Sequence, residues 1–151
     1  MTRAKTLVSA LWLLLPLALA SAALAADAKP ILFEMDDQLK FPMASFEVKS
    51  GQTVKLTIKN GGSMPKASMA HNLVILKPGV NVDQFAISAM TFAATDYIPT
   101  GSEAQVIAHT KLVGAGESDT IEFKAPSPGT YRFLCTFPGH FATMQGDMIV
   151  K

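Results

Sequence analysis

Three side chains able to bind a soft metal fall within one short stretch of the chain: Cys135, His140 and Met144. Four residues separate the cysteine from the histidine and three separate the histidine from the methionine. A type-1 copper centre needs a thiolate and two imidazoles in a near-trigonal plane, with a long, weak axial thioether, because that arrangement suits both Cu(I) and Cu(II). The second imidazole must come from elsewhere in the fold. His71 follows Ala70 and opens the apolar run 72–76, so it is the natural donor. A ligand mounted on a strand is held more steadily than one on a mobile loop, and steady ligands let an electron arrive with little movement.

Taken singly, each of these residues has an ordinary explanation. A histidine after Pro138-Gly139 is commonly a turn residue, and one at a strand edge is commonly just hydrogen-bonded. Met144 alone would be core filler, as Met35, Met43, Met64, Met69, Met90 and Met148 are expected to be. It is their joint spacing that points to copper. His109 has no second ligand near it in sequence and is expected on the surface of a strand.

The elements that must position these groups begin after an export signal. Arg3 and Lys5 precede an apolar stretch from Leu7 to Ala20, and Ala23-Leu24-Ala25 offers a small-residue cleavage site, so residues 1–25 read as a signal peptide. The stretch is shorter than a spanning helix needs and Pro16 interrupts it, so no stable membrane insertion is expected once the signal is cleaved. Export to the periplasm follows. Export also makes the lone cysteine notable, since exported thiols usually oxidise to disulfides and Cys135 has no internal partner. Cleavage removes two of the 13 basic residues and leaves 11 against 12 acidic ones. A nearly neutral surface without runs of like charge excludes nucleic acid as a partner and favours apolar docking.

Residues 26–151 form one domain. Short alternating or β-branched runs cover 31–35, 44–49, 53–59, 72–76, 105–108, 119–123, 129–135 and 146–150, separated by Gly, Pro, Asn and Ser clusters. Eight strands so punctuated imply an all-β Greek-key sandwich. Val54, Leu56 and Ile58 share one face of a half-solvated, antiparallel strand. One segment differs: Phe85, Ala86, Ala89, Met90 and Ala93 recur at helical spacing, which predicts a short inserted α-helix over 82–93 lying on the outside of the sandwich.

The segment Cys135-Thr136-Phe137-Pro138-Gly139-His140 followed by Met144 resembles the ligand loop of the azurins, bacterial cupredoxins, whose spacing differs from the shorter loop of plastocyanins. The stretches 106–112, 37–41, 65–66 and 69–72 resemble azurins as well. The resemblance implies an eight-stranded cupredoxin sandwich with one inserted helix and one copper per chain. It implies His71, Cys135 and His140 as equatorial ligands, Met144 as axial ligand and the Ala70 carbonyl as a second, weak axial oxygen. It further implies that Asn72 ties the two ligand segments together, and that the backbone N–H groups of Asn72 and Phe137 donate to the thiolate. Departures lie on the far side of the site: Ala70 stands where azurins usually have glycine, Leu73 where an aromatic is common, and Asn60 where some azurins carry a pH-responsive histidine. With Asn60 there, a reduction potential nearly flat between about pH 5 and 8 is expected, since His109 is the sole histidine outside the ligand set.

The expected role is a soluble, monomeric one-electron carrier rather than an enzyme. His140 is the ligand expected nearest the surface, with Leu39, Met43, Phe137, Pro138 and Phe141 as an apolar patch where redox proteins such as cytochromes or copper enzymes would dock. A Cys-His nucleophile lacks a third orienting residue, and multicopper enzymes need further histidines. A copper carrier or storage protein is the alternative, and zinc is a competing occupant of a His2Cys set.

Overall fold

The computed structural model describes residues 30–151; residues 1–25, expected from the sequence to be a signal peptide, lie outside them. Eight strands run β1 (Ile31–Met35), β2 (Ser45–Val48), β3 (Thr53–Asn60), β4 (Val74–Leu76), β5 (Val106–His109), β6 (Ser118–Lys124), β7 (Gly129–Leu134) and β8 (Gln145–Val150). They form a three-stranded sheet ordered β1-β3-β6 and a five-stranded sheet ordered β2-β8-β7-β4-β5. The β1–β3 and β2–β8 pairs are parallel and the rest antiparallel. The antiparallel setting expected for β3 therefore holds only on its β6 side, because β1 joins its other edge in parallel.

Alternation decides which face of each strand is inward. Val54, Leu56 and Ile58 of β3 are buried, with exposed or half-buried residues between them, and the same phase carries the polar Asn60 into the interior. Between the sheets Phe33, Phe41, Phe46 and Phe133 pack with ring centroids 5.3–5.8 Å apart, mostly edge to face, the geometry that aromatic quadrupoles favour. Gly146 is required at this seam: a Cβ there would collide with the Ala44 carbonyl and the Phe133 ring.

Strand β4 is buried on both faces, which explains why 73–76 is a continuous apolar run rather than an alternating one. Leu73 and Ile75 join the inter-sheet core, while Val74 and Leu76 join Leu134, Ile98, Phe85 and Ala86 in a second cluster. Helix α1 (Val82–Ala89) contributes Phe85 and Ala86 to that cluster and so lies on the outside of the five-stranded sheet, as its periodicity predicts. The helix stops sooner than 93. Met90 is its C-cap and is more than a third exposed, and the chain turns through a short 3-10 segment, Ala93–Thr95, instead.

Candidate metal centre

The site forms at one end of the sandwich. Cys135 is the first residue after β7 and Met144 the last before β8, so the antiparallel β7–β8 pair delivers both to the same end. The loop between them folds back on itself. His140 N–H donates to the Phe137 carbonyl at 3.0 Å, and Met144 N–H donates to the His140 carbonyl at 2.9 Å. Gly139 makes the turn possible with φ of 85°, a left-handed conformation that glycine adopts without steric cost. His140 is thereby aimed inward, with Nδ1 3.8 Å from the Cys135 sulfur.

His71 arrives from the other direction. It precedes β4 rather than opening it, because its backbone pairs with Val113 instead of β7: His71 N–H donates to the Val113 carbonyl at 3.0 Å, and the His71 carbonyl accepts from Val113 N–H at 2.8 Å. Its ring Nε2 lies 3.2 Å from the Asp36 carbonyl. A carbonyl can only accept, so Nε2 carries the proton and Nδ1 presents a lone pair. That Nδ1 is buried and has no hydrogen-bond partner.

One ligand atom from each of His71, Cys135 and His140 lies within 4.8 Å of the others. His71, Cys135 and Met144 are fully buried, and His140 is only 4% exposed. Ala70 is buried in the core beside them. Burial pushes the Cys135 thiol up to about 11, against the pull of the Asn72 and Phe137 backbone N–H groups bonded to its sulfur. Burial lowers His140 to about 4, with the charge on His71 adding to the effect. It lowers His71 too, opposed by the Asp36 carbonyl and the charge of Asp37. Both imidazoles are therefore neutral near pH 7 with lone pairs available. Leaving a polar nitrogen buried without a partner costs on the order of 1–3 kcal/mol. A thiol and two neutral imidazoles converging in a dry space fit a soft or borderline metal cation, which satisfies all three at once.

Asn72 locks the two segments together. Its Oδ1 accepts from Thr136 N–H at 2.8 Å, and its Nδ2 donates to the Thr136 hydroxyl at 2.8 Å. Thr110 secures the next residue, its hydroxyl accepting from Leu73 N–H at 3.0 Å. Asn60 is neutral and fully engaged, with Nδ2 donating to the Met69 and Val113 carbonyls at 3.2 and 3.3 Å. The family model for copper binding proteins of the plastocyanin/azurin family matches residues 31–151. This chain belongs to that family.

The relatives agree. Outer membrane protein H.8 of Neisseria gonorrhoeae is 40% identical over 118 residues, which cover 76% of this chain and 63% of that protein. This chain thus spans less than two thirds of that relative's length. An azurin of Pseudomonas fluorescens biotype C is 34% identical over 128 residues, covering 80% of this chain and 97% of the azurin. Among solved structures, a dithionite-reduced auracyanin from Roseiflexus castenholzii has a TM-score of 0.73 at 37% identity, covering 82% of this chain and 98% of that one. Auracyanin A of Chloroflexus aurantiacus, a blue copper protein, has a TM-score of 0.71 at 30% identity, covering 82% and 100%. The family and the His71, Cys135, His140 cluster together make copper the cofactor of this cupredoxin, one ion per chain.

Several supports of the site carry no signal in the ligand motif. The Asp36 carbonyl is a backbone group, so no side chain announces it. Asp37 accepts from the N–H groups of Ser63 and Met64, anchoring the segment that carries that carbonyl; only the likeness of the 37–41 region to azurins hints at it. His109 ends β5 exposed and apart from the cluster, as expected. Of the expected patch, Leu39 is 41% exposed, Met43, Pro138 and Phe141 are half-buried, and Phe137 is buried. Phe141 also packs against the cluster beneath α1. Among the described residues, no helix is long and apolar enough to cross a membrane.

Proposed function

We propose that this chain is an exported one-electron carrier of the azurin type. Residues 1–25 direct export and residues 26–151 form the working domain, acting as a monomer in the periplasm. His71, Cys135 and His140 would hold copper equatorially, with the Met144 thioether as the weak axial donor and the Ala70 carbonyl as a second. Copper bound there supplies a Cu(II)/Cu(I) couple.

The observation that carries this reading is the preformed donor set: three ligand atoms within 4.8 Å of one another, one of them a buried His71 Nδ1 with no partner. The chain's own work is to hold that set still and dry. His71 is fixed by Val113 and Asp36, Thr136 by Asn72, and the loop ends by the Cys135–Met144 hydrogen bond. Donors prevented from relaxing keep the reorganisation on electron transfer small. Burial keeps water from the thiolate. Of the three clustered donors, His140 alone retains any exposure, so its edge is the port at which electrons enter and leave. Redox proteins such as cytochromes or copper enzymes would dock on the apolar surface around His140 and Phe141, through the small contacts that transient carriers use.

The same burial argues against a copper carrier or storage protein, which needs reachable ligands to hand its metal on. It argues against enzyme activity too, since a substrate has no open path to the sulfur. The test is colour. Protein supplied with Cu(II) should turn intensely blue and bleach reversibly with a mild reductant. A colourless copper adduct, or turnover of a substrate, would overturn the reading.

A further inference from the structure

Two residues remote in sequence from the ligand loop contact the two residues whose backbone N–H groups bond to the Cys135 sulfur. Among the described residues, Asp96 and Tyr97 are the non-glycine residues with positive φ, at 56° and 59°. Such a conformation crowds an L side chain, and a consecutive pair persists only where its surroundings over-determine it. Here Tyr97 N–H donates to the Phe92 carbonyl at 2.9 Å, and the Thr95 hydroxyl donates across the bend to the Ile98 carbonyl at 2.7 Å.

The result is aimed at the site. The Asp96 carbonyl accepts from Asn72 Nδ2 at 2.8 Å. The Tyr97 ring stands edge-on to Phe137, with centroids 5.3 Å apart and planes at 74°. Phe137 in turn lies against the His140 ring, with centroids 4.6 Å apart. Asn72 and Phe137 are the same two residues whose backbone N–H groups bond to the Cys135 sulfur. Consecutive residues of one bend, Asp96 through its carbonyl and Tyr97 through its ring, thus brace the side chains of both donors to the sulfur.

We propose that the Asp96–Tyr97 bend is a positioning element of the metal centre: it fixes the approach of the Asn72 and Phe137 amides to the Cys135 sulfur, and through them the electron density on the thiolate. The proposal rests on the reading of Cys135 as the thiolate ligand. N–H donors withdraw density from sulfur and favour the reduced site, so loosening them lowers the reduction potential. Tyr97 carries the larger lever, because its ring is replaceable whereas Asp96 acts through its backbone.

Tyr97→Ala, Tyr97→Leu and Tyr97→Phe are compared with the wild type in two measurements: the reduction potential of the copper-loaded chain, and amide hydrogen exchange at Phe137 in the metal-free chain. Tyr97→Ala should lower the reduced-to-oxidised ratio about tenfold in a fixed redox buffer, equivalent to about 59 mV for a one-electron couple, and speed exchange at Phe137. Tyr97→Phe should match the wild type in both. Tyr97→Leu keeps apolar contact without the aromatic edge, and it should fall between them even if the alanine variant fails to fold. Variants that melt earlier but keep the wild-type potential and exchange would overturn the proposal. A colourless wild-type copper adduct would instead overturn the ligand reading beneath it, while unchanged exchange at Phe137 would overturn the positioning whatever the colour.

Discussion

The amide of Cys135 donates to the carbonyl of Met144 at 2.9 Å, so the two ends of the ligand loop are clasped by backbone alone. Loop closure therefore does not depend on the Met144 side chain, for which an axial role at the metal is proposed. Met144→Leu conserves volume at a fully buried position and should cost less than about 1.5 kcal/mol. Its copper form should stay blue while its reduction potential rises, because the weak axial donor that favours Cu(II) is gone. Spectroelectrochemistry decides it, and an unchanged potential would remove Met144 from the ligand set.

Asn72 is the opposite case, a residue whose side chain does structural work at three places. Its amide accepts from Thr136 N–H and donates to the Thr136 hydroxyl and the Asp96 carbonyl, each at 2.8 Å. Asn72→Ala strands a buried N–H and a buried hydroxyl and should destabilise the metal-free protein by about 3 kcal/mol. Denaturant unfolding should show the loss, and a change under about 1 kcal/mol would mean that water or another group replaces the tie.

In the metal-free protein the buried donors set the pH range of stability. His140 titrates near 4 when folded against 6.5 ordinarily, and His71 is lowered as well, so the unfolded chain binds protons more readily in that interval. Stability is then full above about 6.5 and lost as pH falls toward 4. Cys135 is shifted the other way, from 9.0 up to about 11, so its contribution is full below about 9 and lost as pH rises toward 11. Thermal melts across pH should peak between these limits. Loading copper at pH 7 should release a single proton, from the thiol, because the imidazoles are already neutral. Calorimetry in buffers of different ionisation heat measures it, and zero release would show the thiolate to be ionised already.

Leu39, not Phe141, is the clean probe of docking. Leu39 is 41% exposed, whereas Phe141 is half-buried against the cluster beneath α1. Leu39→Asp should slow electron exchange with a partner while changing stability by no more than about 0.5 kcal/mol. Phe141→Asp should slow exchange and also lower the melting temperature. Unaltered exchange rates in both variants would move the docking surface away from this patch.

Local order explains what could be read without coordinates. The Cys135, His140, Met144 spacing is contained in one loop, and alternation in segments such as 53–59 reports which side of a strand is buried whatever its partner. That suffices for eight strands, an outer helix and a soft-metal loop. Alternation does not encode which strands become neighbours, since an inward face fits any apolar sheet; the parallel β1–β3 and β2–β8 pairs emerge only when the sheets close. The proton on His71 was beyond the sequence for the same reason. It is set by a carbonyl 35 residues away at Asp36, a group every residue possesses and only chain placement selects. The bend at Asp96 and Tyr97 is likewise invisible as a pattern, because neither residue type demands a left-handed backbone. The types and spacing of its residues thus determined the donors this chain offers a metal, while the packing of distant backbone decided which nitrogen His71 presents and what holds it in place.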